Sequence, residues 1–459
     1  MKRVALLTVI ALALTLCLAA GCQKTPGDIV RAGGTAITVT ALTSSRHAQP
    51  AIYVGEEQDG AEIGYMGYCF AVEEGRAVLY KADNELMELA SKNLVGVTEN
   101  GKLDLQLELE DDVIRCYVLD DAEGYTPWPE VELRIPSCEG YRIGCVDLAE
   151  ESTFFEDLQI RYYTPKAYEK TYQNPVYTNL ADPEVVYENG TFYMYGTGDT
   201  GYSVYTSTDL VNWGRKNTVV YGAWGITTNY WAPDIEYVDG KYNMAVTCAE
   251  NLGLAVSESL TGVFHAMGEA PLYNNTIDGH IFVDDDGRRY LYYVSWQGTY
   301  GIYGVELDEN MQPIPETNVL LIQPTSPWEQ TAGQVTEGPY LLKHNGLYYL
   351  TYSGSGYTGI YYAVGYAVAD SPLGTYVKYE HNPIMVGNSQ IHGVGHHCVV
   401  TIPQTGEMWI VYHCHNNLTQ VQGRKICIDR MRFSPVEGEI DRLEVYGPTV
   451  TPQPYPELG

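Results

Sequence analysis

The chain has 459 residues, with 58 acidic and 27 basic side chains and a formal net charge of −31 at pH 7. That balance argues against nucleic acid or an anionic membrane surface as a partner and fits a neutral ligand. The length is too great for one small domain and suits two.

The N-terminal segment has the pattern of a bacterial lipoprotein signal. A basic start precedes an apolar run (4–18), and Ala19-Ala20-Gly21 lies directly before Cys22. We therefore expect residues 1–21 to be removed, Cys22 to be lipidated, and the protein to be exported and anchored outside the cytoplasmic membrane. An ordinary secretion signal with an incidental cysteine is the alternative. No later stretch approaches the ~18 apolar residues of a membrane span, so the lipid is the only membrane contact expected.

Residues 29–163 have the alternating pattern of half-buried strands. Leu103, Leu105, Leu107 and Leu109 alternate with polar residues, which predicts one face buried and one exposed. Short strands separated by turns favour a β-sandwich of the jelly-roll type. The stretch STFFEDLQIRYY (152–163) resembles the last strand of concanavalin- and laminin-G-like domains. Such an accessory domain either binds carbohydrate or acts as a spacer, and the sequence leaves both open.

A linker is predicted at 164–173, and a repeated phrase then organises residues 174–459. Each copy begins with an acid or a histidine, continues as an apolar strand and ends in a turn glycine. The copies are ADPEVVYENG (181–190), APDIEYVDG (232–240), IDGHIFVDDDG (277–287), TEGPYLLKHNG (336–346) and GHHCVVTIPQTG (395–406). Their final glycines are 50, 47, 59 and 60 residues apart. Repeats of this length made of short strands predict a five-bladed β-propeller.

Equivalent positions in the blades should meet around the propeller axis. This predicts that Asp182, Asp234, Asp278, Glu337 and His396 converge. Any one aspartate alone is more often a cap or turn residue, but the repeated register argues for a site. Carboxylates gathered in one place suit acid–base chemistry, such as the paired acid and base that cleave a glycosidic bond. The 40 tyrosines favour strands and can stack on sugar rings.

Five blocks in order resemble the signature blocks of glycoside hydrolase family 43. They are YQNPVYTNLADPEVVYENGTFYMYGTG, NYWAPDIEYVDGKY, IDGHIFVDDDGRRYLYYVSW, TEGPYLLKHNGLYYLTYS and GVGHHCVVTIPQTGEMWIVYHCH. The resemblance implies a five-bladed propeller enzyme that acts with inversion on arabinose- or xylose-containing plant polysaccharides. It implies Asp182 as general base, Glu337 as general acid and Asp278 as the residue that orients the acid and adjusts its pKa.

The resemblance extends to residues that would contact the sugar. Arg424 matches a family arginine that reaches the sugar, and Trp231 is placed as a stacking wall, with a surface ion pair and a core tryptophan as the respective alternatives. His396 matches a histidine near a hydrated calcium ion, so a water-mediated structural calcium is implied although no cofactor is required. His396 is also a candidate sugar contact. His397 departs from the family pattern, and only one of His413 and His415 can point inward.

An exo-acting α-L-arabinofuranosidase is the leading expectation, with arabinan or arabinoxylan as substrate. A β-xylosidase and an endo-arabinanase of the same family are the alternatives. A carbohydrate-binding lipoprotein without catalysis is the alternative of another class, but it predicts loss of Asp182, Asp278 or Glu337, and all three are present. A retaining fructan-acting enzyme would need a WMNDPNG-like block, which NLADPEVV does not supply.

Overall fold

The computed structural model describes residues 29–43, 47–57, 65–83, 85–94, 101–119, 128–149, 153–436 and 438–459. The predicted signal segment and Cys22 lie outside these ranges. The chain divides into two compact units, the first ending at Glu169 and including Thr449–Thr451, the second comprising Lys170–Pro448 and Pro452–Gly459. The change between units falls inside the predicted linker. None of the helices in the described ranges is long and apolar enough to cross a membrane.

The first unit consists of antiparallel strands in two five-stranded sheets. The strands are β1 (Gly34–Thr43), β2 (Pro50–Glu57), β3 (Tyr65–Glu73), β4 (Arg76–Ala82), β5 (Leu86–Asn93), β6 (Lys102–Glu110), β7 (Val113–Leu119), β8 (Val131–Arg134), β9 (Arg142–Asp147) and β10 (Thr153–Tyr163). The sheet orders are β10–β1–β6–β7–β8 and β5–β4–β3–β2–β9. The four leucines of β6 are all buried, as their alternation predicts. Two sheets with one apolar face each are consistent with the predicted sandwich.

The second unit begins with two short strands and continues as sheets of four or five strands. The strands before and within the first two blades are β11 (Thr171–Tyr172), β12 (Tyr177–Thr178), β13 (Glu184–Glu188), β14 (Thr191–Tyr195), β15 (Tyr202–Ser207), β16 (Gly214–Val220), β17 (Tyr230–Val238), β18 (Lys241–Cys248), β19 (Asn251–Ser257), β20 (His265–Ala266) and β21 (Tyr273–Asn274). β13–β16 form the first blade and β17–β20 the second, with β21 also paired to β19.

The remaining strands complete three further blades. They are β22 (Thr276–Val283), β23 (Arg289–Ser295), β24 (Gly301–Leu307), β25 (Val319–Ile322), β26 (Thr336–His344), β27 (Leu347–Gly354), β28 (Ala363–Ala369), β29 (Val377–Lys378), β30 (Gly395–Thr401), β31 (Met408–Cys414), β32 (Lys425–Ser434), β33 (Arg442–Tyr446) and β34 (Gln453–Pro454). Short 3-10 helices lie at Ala223–Gly225, Pro315–Thr317 and Pro327–Gln330. The predicted five-bladed all-β propeller is confirmed in the described ranges.

The last blade is closed by the start of the unit. β12 pairs with β32, so the order of the fifth blade is β12–β32–β31–β30, and β11 pairs with β34. The Asn174 amide reinforces this closure, since it donates to Ile428 O at 2.9 Å and accepts from Ile428 N at 2.9 Å. Closure of this kind joins the first and fifth blades into one ring.

Apolar clusters lie between neighbouring blades and absorb much of the tyrosine content. Tyr195 and Tyr230, from the first and second blades, share one cluster, while Phe192 and Trp409 share the cluster that joins the first and fifth. The buried Tyr195 hydroxyl donates to Leu260 O at 2.5 Å. Many of the tyrosines are therefore core residues with a satisfied hydroxyl rather than sugar platforms.

The cysteines in the described ranges are buried. The Sγ atoms of Cys414 and Cys427, on adjacent strands, are 3.6 Å apart. That separation is a thiol contact, well beyond the S–S bond length of ~2.05 Å.

Candidate active site

One residue at the start of each inner strand has a left-handed backbone. These five positions, which we call the junction residues, have φ values of 53°, 44°, 56°, 57° and 43° at Asp182, Ala232, Asp278, Gly338 and His396. The hairpin register shifts at this point in the second to fifth blades. Each shift is a β-bulge that turns the first residues of the strand toward the axis.

The bulges correct the predicted equivalence of the five acids and histidine. Asp182, Asp278 and His396 are junction residues, but Glu337 lies one position earlier and Asp234 two positions later than the junction residue of its blade. In the sequence repeat, the acid or histidine of each copy was taken as the equivalent position. In the structure, the equivalent position of each blade is the residue with the left-handed backbone. Glu337 still reaches the site; Asp234 does not.

Asp182 is held by three side chains. Its Oδ1 accepts from Arg424 Nη1 at 2.8 Å and lies 3.0 Å from His413 Nδ1, and its Oδ2 accepts from the Thr197 hydroxyl. Burial on its own would raise the pKa of Asp182, but Arg424, His396 and His413 hold that pKa well below its usual range. Asp182 is therefore ionised and fixed in direction at neutral pH.

Glu337 has the opposite electrostatic surroundings. Burial raises the pKa of Glu337 to about 7, the Asp182 charge adds to the rise, and the Tyr362 hydroxyl and Arg424 oppose it. Tyr362 donates to Glu337 Oε1 at 2.8 Å. A carboxyl group with a pKa near neutrality can hold a proton and release it within one catalytic cycle.

Asp278 connects the other two carboxyl groups. Its Oδ2 accepts from Gly338 N at 3.1 Å, directly after Glu337 in the chain, and lies 3.9 Å from His396 Nδ1. Burial and the neighbouring Glu337 and Asp182 raise the pKa of Asp278 well above its usual range. This contact beside Glu337 suits the orienting role expected of Asp278, whereas the pKa of Glu337 responds to burial, Tyr362, Asp182 and Arg424.

A side chain at Gly338 would crowd His396. The φ of Gly338 is positive, and an added Cβ would lie 3.2 Å from His396 Nδ1. A side chain here would strain the backbone and push His396 away from Asp182 and Asp278.

Arg424, His396 and Trp231 occupy different places relative to the carboxylates. Arg424 binds Asp182 and also lies over the Tyr357 ring, with Cζ 5.0 Å from the centroid. His396 Nδ1 lies 3.6 Å from Asp182 Oδ1, and burial lowers its pKa. Trp231 is half-buried at the start of β17, next to a junction residue, and its carbonyl accepts from the Tyr202 hydroxyl at 2.7 Å.

Asp234 belongs to a second polar cluster. Its Oδ1 lies 2.6 Å from His280 Nδ1, and its Oδ2 accepts from Ile281 N at 2.8 Å. His280 Nε2 in turn accepts from Leu341 N at 3.0 Å, which fixes the proton on Nδ1. Asp234 thus ties the second blade to the third and fourth, instead of bonding within its own blade.

An axial cavity, with an empty volume of about 280 Å³, has Asp234, Asp278 and His396 in its lining. All five blades contribute to its lining, through Glu184, Asp234, His280, Tyr340 and His397 among others. Burial and the charges of Asp234 and Glu236 raise the pKa of Glu184 well above its usual range. His397 lines the cavity, and its buried Nδ1 has no protein partner.

A directly ligated calcium ion has too few oxygen donors on this axis. Calcium takes six to eight oxygen ligands, whereas the cavity has three carboxylates, at Glu184, Asp234 and Asp278; both Asp234 oxygens and Asp278 Oδ2 already accept hydrogen bonds, and His396 and His397 offer nitrogen. Across the described ranges, no three His, Cys, Asp or Glu side chains are grouped to hold a metal. An ion here would have to keep its own water shell.

Several residues of the site were not singled out by the sequence. Thr197 and Tyr362 bind Asp182 and Glu337, and His413 was left undecided against His415. Tyr300 lies near Glu337, because its hydroxyl donates to Thr336 O at 3.3 Å. These side chains lie on the second strand of a blade or in loops, outside the repeated phrase. The repeat therefore could not predict them.

The chain is similar to known carbohydrate-cleaving enzymes. Residues 172–437 match the family model described as Glycosyl hydrolases family 43. The chain is 32% identical over 302 residues to the β-D-galactofuranosidase xynD of Aspergillus niger, a match that covers 58% of this chain and 83% of that protein. It is 27% identical to an extracellular exo-α-(1→5)-L-arabinofuranosidase of Streptomyces chartreusis, covering 53% and 82% respectively.

Two solved structures resemble the second unit. One is an endo-1,4-β-xylanase from Bacteroides thetaiotaomicron, with 31% identity and a TM-score of 0.57 over 62% of this chain and 99% of that chain. The other is a thermostable family-43 glycoside hydrolase, with 35% identity and the same TM-score and coverage.

An ionised Asp182 and a Glu337 that titrates near neutrality, set in a propeller, define an enzyme that cleaves glycosidic bonds. The chain belongs to glycoside hydrolase family 43. The binding protein without catalysis, weighed from the sequence, is therefore set aside.

Proposed function

We propose that the protein is an exo-acting, inverting furanosidase that releases α-L-arabinofuranose from arabinan- or arabinoxylan-type chains. The observation that carries the reaction type is the electrostatic contrast between Asp182 and Glu337. The sugar is supported by the relatives that act on furanosides, among them the Streptomyces exo-α-(1→5)-L-arabinofuranosidase.

In this mechanism Asp182 acts as the general base. Ionised and held by Arg424, His413 and Thr197, it takes a proton from a water molecule, whose oxygen attacks the anomeric carbon. Glu337 gives its proton to the glycosidic oxygen as the bond to the anomeric carbon breaks. One proton enters at Asp182 and one leaves Glu337, so the cycle closes when the two groups exchange a proton with solvent.

A β-D-galactofuranosidase is the second candidate, favoured by the 32% identity to the Aspergillus enzyme over most of its length. The rings of β-D-galactofuranose and α-L-arabinofuranose have the same configuration at their ring carbons. They differ in the exocyclic chain, so the same carboxyl geometry serves either sugar. The two alternatives from the sequence differ from the proposed activity in other ways. A β-xylosidase would release a sugar with a larger ring, and an endo-arabinanase would cleave inside the chain instead of at its end.

The test is hydrolysis of four substrates: aryl α-L-arabinofuranoside, aryl β-D-galactofuranoside, aryl β-D-xyloside and linear arabinan. Asp182→Ala and Glu337→Ala serve as controls, and proton NMR follows the anomeric configuration of the first product. Release of arabinose with inversion, lost in both variants, is the expected result. Preferred release of galactose or xylose would replace the proposed sugar, and retention of configuration would overturn the role of Asp182.

A further inference from the structure

The junction residues share a hydrogen-bonding problem. Because the bulge withdraws their N–H groups from the hairpin ladder, each needs an acceptor elsewhere. Ala232 N donates to Thr197 Oγ1 at 3.0 Å and His396 N donates to Ser353 Oγ at 2.8 Å. In both pairs the acceptor side chain comes from the preceding blade, so the contact ties two blades together.

His413 occupies the same position at the junction that closes the propeller. Ser353 lies opposite Glu337 in its hairpin, and His413 lies opposite Gly395, one position before the junction residue in each case. Asp182 N points at His413 Nδ1, 3.3 Å away. As an acceptor for that N–H group alone, a serine or threonine hydroxyl would be sufficient, as it is for Ala232 N and His396 N.

The imidazole reaches further than a hydroxyl can. Its Nδ1 can play only one of two roles: when it carries the proton it donates to Asp182 Oδ1, 3.0 Å away, instead of accepting from Asp182 N, and Nε2 is left to accept from Arg424 Nη1 at 3.4 Å. The ring is stacked between Tyr362, at 5.7 Å between centroids, and His396, at 6.2 Å. Tyr362 is the residue that binds Glu337, so a single fully buried ring contacts supports of both the base and the acid.

We propose that His413 is a positioning residue for hydrolysis: its ring fixes the Asp182 carboxylate and the Arg424 guanidinium at the closing junction. This role goes beyond joining the first and fifth blades, because a hydroxyl group that accepts from Asp182 N would also join them. It rests on the proposed reaction at Asp182 and Glu337 but not on which sugar is released. A carboxylate displaced by about 1 Å costs on the order of 100-fold in rate, so the effect belongs in kcat.

Two variants separate the two roles of His413. His413→Thr keeps a hydroxyl acceptor for Asp182 N and removes the ring contacts. His413→Asn places an amide near the position of Nδ1, which can still bond Asp182 Oδ1. The matched control is Thr247→Val, at the equivalent place opposite Trp231, since the buried Thr247 hydroxyl has no protein partner.

With the best substrate of the panel, His413→Thr is expected to lower kcat about 100-fold with KM within about threefold. His413→Asn should recover at least tenfold of that loss, and Thr247→Val should match the wild type. Thermal unfolding is measured in parallel. Wild-type kcat in His413→Thr, or equal losses in the two His413 variants that follow their unfolding temperatures, would overturn the proposal.

A crystal structure of His413→Thr provides a readout that needs no turnover. The Arg424–Asp182 contact, 2.8 Å in the wild type, is expected to lengthen or break. Unchanged side-chain positions would overturn the positioning role even if the wild type cleaved none of the four substrates. A wild type that cleaves none of the four substrates would contradict the proposed function but not the positioning role. The two failures are therefore distinguishable.

Discussion

Asp182 and Glu337 need different protonation states, and their immediate neighbours provide them. Asp182 is surrounded by Arg424 and two histidines, whereas Glu337 has the Asp182 charge nearby and one neutral donor, Tyr362. Activity requires ionised Asp182 and protonated Glu337. Activity therefore falls as the pH rises through about 7, where Glu337 loses its proton, and is retained below that value until Asp182 is protonated.

Tyr362→Phe should move the basic limb of the kcat/KM profile to higher pH. The Tyr362 hydroxyl donates to Glu337 and favours the charged form, so its removal raises the pKa of Glu337 further. A hydrogen bond to a charged group is worth about 1.5 kcal/mol, so a shift of roughly one pH unit is expected. Tyr349→Phe is the control, because its hydroxyl donates to Asp441 O, away from the carboxyl groups. A basic limb that stays in place or moves down would contradict the role of Tyr362.

At the scale of single residues, the sequence predicted that three carboxyl groups lie near one another, but not which side chains hold them. Asp182, Asp278 and Glu337 could be found because each begins a copy of one repeated phrase. Thr197 and His413 act on Asp182 from adjacent strands or neighbouring blades. Contacts between blades depend on how the ring closes, and nothing in the spacing of a single repeat encodes them.

The strands themselves were predictable from alternation and turn residues, whereas the bulges were not. Asn189, Asp239 and Asn345 take positive φ before glycine, as their hairpin turns require. The left-handed Ala232 has no sequence signal of that kind, since alanine rarely adopts that conformation. Without that bulge, Asp234 was predicted to be equivalent to Asp182 and Asp278.

Asn174→Ala tests the closure of the propeller. The Asn174 amide pairs with both backbone groups of Ile428, and alanine would leave the buried Ile428 N–H unpaired. An unsatisfied buried donor costs about 2 kcal/mol, so the unfolding free energy of the second unit should fall by about that amount. Urea unfolding followed by loss of activity measures this change.

The control for this variant is Asn310→Ala, at an exposed turn position. Substitution at such a site is expected to change stability by less than about 0.5 kcal/mol. If the two variants unfolded at the same urea concentration, the Asn174 amide would have no part in holding the first and fifth blades together.

For the whole propeller, the axis should work without a metal that takes part in the reaction. The catalytic carboxylates are held by Arg424, His413, Thr197 and Tyr362, and the axial donors do not suit direct calcium ligation. We propose at most a hydrated ion near His396. Treatment with excess chelator should leave kcat within about twofold of its starting value while any bound ion is lost. Abolished activity that calcium restores would contradict this prediction, and elemental analysis before and after treatment identifies the ion.

We propose that the protein is exported and anchored by a lipid. The residues on which this proposal rests lie outside the described ranges. The basic start, the apolar run and the small residues before Cys22 predict cleavage after Gly21 and acylation of the cysteine. When the full chain is produced in a bacterial host, mass spectrometry of the mature N-terminal peptide should show Cys22 first and bearing lipid. The Cys22→Ser variant should lack that lipid but still cleave substrate, because the anchor takes no part in the reaction at Asp182 and Glu337. A wild-type N-terminus without lipid would indicate ordinary secretion. Activity lost together with the anchor would show that catalysis depends on the membrane surface, although the net charge of −31 disfavours contact with an anionic membrane.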